Sequence, residues 1–169
     1  RDIGGWECDG GTIKYGKIIR GLRFNGGSVS PSESDLKTFR ELLGIRDEID
    51  LRNDNDGVSN IHGSAFGSDI EWHNYKLADY SNSLSENTIQ YRDLFKQIAY
   101  DVSHNSPIYI HCAAGCDRTG VTCGMLEAIL GVARYDIDKD YELSSLVNYR
   151  RNGTVNSTYV RYRNDSRWI

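Results

Sequence analysis

The ten residues His111-Cys112-Ala113-Ala114-Gly115-Cys116-Asp117-Arg118-Thr119-Gly120 constrain this chain more than any other stretch. They follow Pro107-Ile108-Tyr109-Ile110, a short β-branched and aromatic run that reads as a buried strand after a turn at Asn105-Ser106. They precede Val121, Met125, Leu126, Ile129 and Leu130, which recur at helical spacing up to Gly131, a residue suited to the position after a helix end. The expected unit is strand, loop, helix. Backbone N–H groups of such a loop can turn inward, and the helix N-terminus adds partial positive charge, so the turn suits a phosphate. Residues 113–118 are the expected phosphate-binding positions: Ala113, Ala114, Gly115, Cys116, Asp117 and Arg118. Arg118 can grip two oxygens with its planar fork, which a lysine cannot do.

The same field favours the thiolate of Cys112 and makes it the expected nucleophile, with Thr119 a donor to its sulfur. An ionised thiol needs no base, so His111 is read as bracing the loop. The competing reading is a buried cysteine in a helix-capping turn. The agreement of Gly115, Arg118, Thr119, Gly120, His111 and the preceding strand argues against it.

The loop resembles the signature of cysteine-dependent protein tyrosine phosphatases. Its Asp117-Arg118-Thr119-Gly120 ending is similar to the bacterial branch that shares features with dual-specificity, lipid and inositol phosphatases. Arg1-Asp2-Ile3-Gly4-Gly5, Asp9-Gly10-Gly11, Tyr15-Gly16-Lys17-Ile18-Ile19-Arg20, Ile49-Asp50-Leu51-Arg52 and Asp140-Tyr141-Glu142-Leu143-Ser144 extend the resemblance over nearly the whole chain. It implies an α/β fold, a three-layer sandwich whose central, mostly parallel sheet is flanked by helices. It also implies a phosphomonoester hydrolase working through a cysteinyl-phosphate, with phosphotyrosine or dual-specificity protein substrates. Phosphoinositides and inositol polyphosphates are the alternative substrates. Members usually carry lysine where this chain has Cys116, and its loss weakens the case for a lipid headgroup. Cys112 and Cys116 could form a protective disulfide; the favoured alternative is that Cys116 faces solvent or packs away.

A leaving oxygen needs a proton. Asp79, between the alternating run Ile70, Trp72, Tyr75, Leu77 and a following helix, resembles in position the general acid of related phosphatases, although the proline neighbours are absent. Asp117 is the rival, and it sits beside the Arg118 cation, which opposes the protonated form an acid requires. No metal or other cofactor is expected, because the loop itself neutralises charge. His62, His73 and His104 are isolated, without ligand spacing. Arg20 and Arg52 match family arginines at strand ends, and Asp50 with Arg52 is read as a structural pair. Arg150, Arg151, Arg161, Arg163 and Arg167 make the C-terminal part basic, read as a solvated surface.

The rest suits one domain over residues 1–169, with 38% hydrophobic content. The net charge of −4 argues against a nucleic-acid partner, and no apolar run reaches membrane-span length. The expected partner is a phosphorylated protein or small phosphomonoester. Four cysteines, two of them in one loop, do not make a disulfide framework. The chain starts at Arg1, so a fragment without its native N-terminus is expected, and its composition resembles that of secreted bacterial proteins. Ser30-Pro31-Ser32-Glu33 reads as a capping box with Pro31 first in the helix and Leu36, Phe39, Leu42 and Leu43 inward, then a strand over residues 45–51. Ser83-Leu84-Ser85-Glu86 reads as a second box, opening a helix whose Tyr91, Leu94, Phe95, Ile98 and Val102 share a face. A last helix is expected over residues 136–149. Two other classes remain: a rhodanese-like sulfur transferase and a phosphate-binding module without turnover.

Overall fold

The computed structural model describes residues 1–26, 30–78 and 83–144. Two compact units divide the chain: residues 1–4 with 14–119, and residues 5–13 with the segment from 120 onward.

The first unit is built on a four-stranded sheet in the order β3-β6-β4-β5, every neighbour parallel: β3 Ile18–Leu22, β4 Asp47–Asp50, β5 Glu71–Asn74 and β6 Ile108–Cys112. The β6 run reads IYIHC and is buried along its length, as a central parallel strand must be. Strand alternation sends Tyr109 to one face. There it joins Ile19, Ile45, Phe66 and Ile70, against which Phe24, Leu36, Phe39 and Leu43 pack. The rings of Phe39 and Phe66 lie 4.6 Å apart, and Phe66 meets Tyr109 edge-on at 5.1 Å. Ile108 and Ile110 point to the other face. Helix α3 (Thr88–Ser103) touches β6 and buries its Tyr91, Leu94 and Ile98. Each such side chain contributes about 1.5–3 kcal/mol by leaving water. The α/β expectation holds, with a sheet that is wholly parallel.

Local expectations shift in three places. The first helix, α1 (Glu33–Lys37), is capped by Ser32, whose hydroxyl accepts from the Asp35 N–H while the Asp35 carboxylate accepts from the Ser32 N–H. Ser32, not Ser30, is therefore the cap, and Pro31 lies outside the helix. A π-helical turn (Thr38–Leu42) follows, with Leu43 N–H donating to Thr38 O. This wider turn rotates Leu42 out to 80% exposure, while Leu36, Phe39 and Leu43 stay inward. The 83–86 segment is a separate short helix, α2 (Ser83–Glu86), and Asn87 breaks it from α3 while its side chain accepts from the Ala78 N–H. Helix α4 (Asp117–Ile129) begins four residues before Val121, the first residue of its apolar period.

In the second unit a two-stranded antiparallel ribbon, β1 (Glu7–Cys8) and β2 (Gly11–Thr12), is tied by the Asp9 N–H to Leu130 O at 3.2 Å. Gly131, at φ +83°, ends α4 as expected, with Val132 N–H bonding back to Glu127 O at 2.9 Å. Helix α5 (Arg134–Glu142) carries Asp140, whose carboxylate accepts from the Trp6 indole at 3.3 Å. The helix has its C-cap at Leu143, whereas residues 145–149 of the expected final helix, and Arg150, Arg151, Arg161, Arg163 and Arg167, lie outside the described residues. Among the described residues no helix is long and apolar enough to cross a membrane.

Candidate active site

The C-terminal ends of β3, β6 and β4 lie level: Leu22 pairs with Cys112 and Asp50 with His111. Ligands of open parallel sheets bind beyond such strand ends. Residues 113–116 leave β6 here and enter α4 at Asp117.

What holds this loop is the disposal of its carbonyls. Cys112 O accepts from His111 Nδ1 at 3.1 Å, and Ala113 O from the Arg23 N–H at 3.5 Å. Ala114 O accepts from the Cys116 thiol at 3.5 Å. Gly115 O and Cys116 O both accept from Arg20 Nη2, at 3.1 and 3.5 Å. Five successive carbonyls thus point into the protein. In a trans peptide the N–H points opposite to its C=O, so the amide hydrogens of residues 113–117 turn to the other side. That is the geometry of an anion nest at a helix N-terminus. Gly115 sits at φ +74°, and a Cβ there would fall far inside contact with Gly21 O. Gly21 in turn leaves room for the Tyr109 hydroxyl, which donates to Leu22 O at 2.6 Å. Burial first, and then the charges of Glu48 and Cys112, push the Tyr109 phenol far above its ordinary range.

Beneath the loop His111 is fully buried. Its Nε2 meets Glu48 Oε1 at 2.8 Å, so its two ring nitrogens face the Glu48 carboxylate and the Cys112 carbonyl. Glu48 Oε2 accepts from the Ser64 hydroxyl at 2.5 Å and the Ala65 N–H at 2.8 Å. The bracing expected of His111 is present, and the strut under it is Glu48.

Arg118 is 7% exposed. Its Nη1 donates to Asp56 Oδ2 at 2.7 Å and to Leu51 O at 3.4 Å, and its Nη2 donates to Asp56 Oδ1 at 3.1 Å. Asp56 comes from a 3₁₀ turn after β4 and also accepts from the Asn53 N–H at 3.2 Å. Burial raises the Asp56 carboxyl. The Arg118 hydrogen bonds and charge, helped by Asn53 and Arg23, outweigh burial and leave it below the ordinary range. Thr119 is fully buried, and its hydroxyl makes no hydrogen bond among the described residues, so the expected bond to the Cys112 sulfur is not formed. Cys116 is buried, packed away from solvent, and neither it nor Cys112 is in a disulfide. Asp117 opens α4. Asp79 lies outside the described residues.

Asp50 and Arg52 form the expected structural pair, both side chains fully buried, with Arg52 Nη2 to Asp50 Oδ2 at 2.6 Å and to Asn25 Oδ1 at 2.6 Å. Sequence reasoning missed Asp56 and Glu48. The available signal was position: both belong to β4 or the turn just after it, beside the strand that feeds the loop.

Comparisons with known proteins agree with this geometry. A family model described as the tyrosine phosphatase family matches residues 1–166. A Cupriavidus necator protein that bears a tyrosine-protein phosphatase name is 26% identical over 94% of this chain. A tyrosine-protein phosphatase of Nostoc commune is 32% identical over 39% of it. The chain spans 63% and 22% of the lengths of these two relatives. Among solved structures, the core catalytic domain of a PP-IP phosphatase from S. cerevisiae, in complex with citrate, superposes with a TM-score of 0.53 and 15% identity, over 90% of this chain and 89% of that one. That likeness is one of fold.

Proposed function

We propose that this chain, which belongs to the tyrosine phosphatase family, hydrolyses phosphomonoesters through a cysteinyl-phosphate, with phosphotyrosine in proteins as its substrate. The observation that carries the reading is the inward anchoring of all five carbonyls from Cys112 to Cys116, which turns the loop amides outward as a phosphate cradle.

The Cys112 thiolate attacks phosphorus, the S–P bond forms and the P–O bond to the leaving group breaks. Loop amides and Arg118 hold the equatorial oxygens. Arg118 must exchange the Asp56 carboxylate for phosphoryl oxygens to do so, because both of its terminal nitrogens bond Asp56. Asp79 gives its proton to the leaving oxygen, with Asp117 as its rival. Water activated by the same aspartate then splits the S–P bond and releases phosphate, returning the thiolate. Thr119, whose buried hydroxyl makes no hydrogen bond among the described residues, is the donor available to that sulfur. The buried Cys116 side chain adds no positive charge to the cradle, which supports a protein phosphate over a phosphoinositide. The relatives' names support phosphotyrosine. The family match over nearly the whole chain supports a single catalytic domain.

The test is phosphate release from an aryl phosphate by the wild type and by Cys112→Ser. The serine variant loses turnover by about 10³-fold or more yet still binds inorganic phosphate. Binding without wild-type turnover would instead make the chain a phosphate-binding module. Phosphotyrosine peptide, phosphoserine peptide, phosphoinositide and inositol polyphosphate, assayed side by side, identify the substrate.

A further inference from the structure

At the opposite end of the sheet, strand pairing gathers a second set of polar groups. Asp47 opens β4, Glu71 opens β5, and the two are register partners. Side chains two apart on a strand share a face, so His73 joins Glu71 beside Asp47. One ligand atom from each lies within 4.8 Å of the others. His73 Nε2 is 3.6 Å from Asp47 Oδ1 and 3.5 Å from Glu71 Oε2. These separations are too long for good hydrogen bonds. They match the roughly 3.3–3.5 Å edges of a tetrahedron whose ligands sit about 2.0–2.1 Å from a central metal.

Two further observations point to an occupant. His73 Nε2 is shut off from solvent and has no hydrogen-bond partner among the described residues. The same holds for Asp101 Oδ2, from the last turn of α3, on a residue only 2% exposed. Ser106 locks Asp101 to this place: its N–H donates to Asp101 O at 2.8 Å and its hydroxyl donates to Asp47 Oδ2. Gln97 occupies the other Asp101 oxygen at 2.7 Å, so Oδ2 is the one left without a partner among the described residues. Asp101 lies close enough to Asp47, His73 and Glu71 to feel their charges. Three carboxyls and an imidazole are thus held together with two buried acceptor-capable atoms unused.

We propose that Asp47, Glu71 and His73 bind a divalent transition-metal cation of the Zn²⁺ class, with Asp101 Oδ2 accepting from a metal-bound water. Imidazole with carboxylates suits such an ion better than Mg²⁺ or Ca²⁺. The Ser106 hydroxyl orients Asp47 as outer partners of metal ligands do. Glu71, with its side chain 76% exposed, gives the ion its way in. The ion would pin the starts of β4 and β5 beneath the end of α3, a structural role separate from the Cys112 loop and independent of its chemistry. No spacing along the chain advertises this site, because its ligands come from two paired strands and their outer partner from a helix end.

The test uses the full chain as Cys112→Ser, so that no reactive thiolate competes for metal. Equilibrium dialysis against Zn²⁺, after treatment with a chelator, yields one tightly held ion per chain and a raised thermal midpoint that chelator reverses. Glu71→Gln and His73→Ala each lose that ion, and Asp101→Asn holds it about tenfold more weakly, while their midpoints in chelator stay near that of the parent. Glu71 is exposed enough that its change leaves packing intact, so loss of metal in that variant reads the site and not the fold. No retained ion, or an ion that His73→Ala and Glu71→Gln keep undiminished, would overturn the assignment.

Discussion

Arg118, in the first turn of the helix that follows the Cys112 loop, and Asp56 meet fork to fork, through Nη1–Oδ2 at 2.7 Å and Nη2–Oδ1 at 3.1 Å. The carboxylate offers the arginine the same paired oxygens that a phosphoryl group would. Arg118 is thereby held in line before any ligand arrives, and a ligand must displace Asp56 to use it. Asp56→Asn keeps an acceptor for the Asn53 N–H but drops the charge. It is expected to tighten inorganic phosphate binding by a few-fold, as calorimetry or competitive inhibition would record. Weaker binding in this variant would mean that Asp56 orients Arg118 without competing for it.

The same pair sets a pH dependence. Asp56 titrates below its ordinary value in the folded chain. Its contribution to stability is therefore fully present above about pH 4, the unfolded carboxylate value, and is lost as pH falls through the lowered folded value. Urea titrations along a pH series should show a shallower acid limb for Asp56→Asn than for the wild type. Asp56 is partly exposed, so solvent screening keeps the difference modest.

Glu48 accepts from Ser64, Ala65 and the His111 side chain in a site closed to solvent. Glu48→Ala strands all three groups and is expected to cost about 3–5 kcal/mol in urea unfolding. Glu48→Gln, which keeps one acceptor oxygen, should cost less than half of that. Equal costs would show that packing, and not the polar contacts, is what Glu48 supplies.

The contrast between Cys112 and Asp56 explains what the sequence could reveal. Cys112, Gly115 and Arg118 stand within seven residues, so their chemistry is written in local spacing, and an apolar strand before and a periodic helix after fix the loop between them. Gly131 ends α4 as expected because left-handed φ is a local demand. Ser30 and Ser32 each precede an acidic residue at the offset of a capping box, and only the Asp35 carboxylate, reaching back to the Ser32 N–H, decides between them. Leu42 follows the helical period on paper, but the π-helical turn turns it to solvent. Asp56 and Glu48 reach the site through the parallel pairing of β4 with β6, a tertiary fact. Neither β3 nor the Arg20 clamp on the loop carbonyls stands out in the sequence beyond the family resemblance.

Gly21 and Tyr109 should be energetically coupled. A Cβ at residue 21 would strike the Tyr109 hydroxyl first and the ring beyond it. Gly21→Ala is expected to destabilise by about 2–4 kcal/mol, Tyr109→Phe by about 1 kcal/mol for the lost bond to Leu22 O, and the double variant by less than the sum. Gly63→Ala, with nothing within 4 Å of the added carbon, is the control and should change stability by no more than about 0.5 kcal/mol. Strict additivity between residues 21 and 109 would contradict the close approach.

The proton donor can be identified by leaving-group dependence. Asp117 is the first residue of α4, where the positive end of the helix and the neighbouring Arg118 favour an anionic side chain. An acid catalyst must hold its proton near the working pH, so the position favours Asp79. On phenyl phosphate, whose leaving group is poor, Asp79→Asn is expected to lose about 10²–10³-fold in kcat, within the usual worth of general acid catalysis. On p-nitrophenyl phosphate, whose phenolate leaves unaided, the loss should shrink to about tenfold or less. Asp117→Asn should change both rates by the same factor, since a change in the cradle's charge acts on phosphate binding and not on the departing oxygen. The reverse pattern, with Asp117→Asn sensitive to the leaving group and Asp79→Asn indifferent, would move the acid into the loop itself.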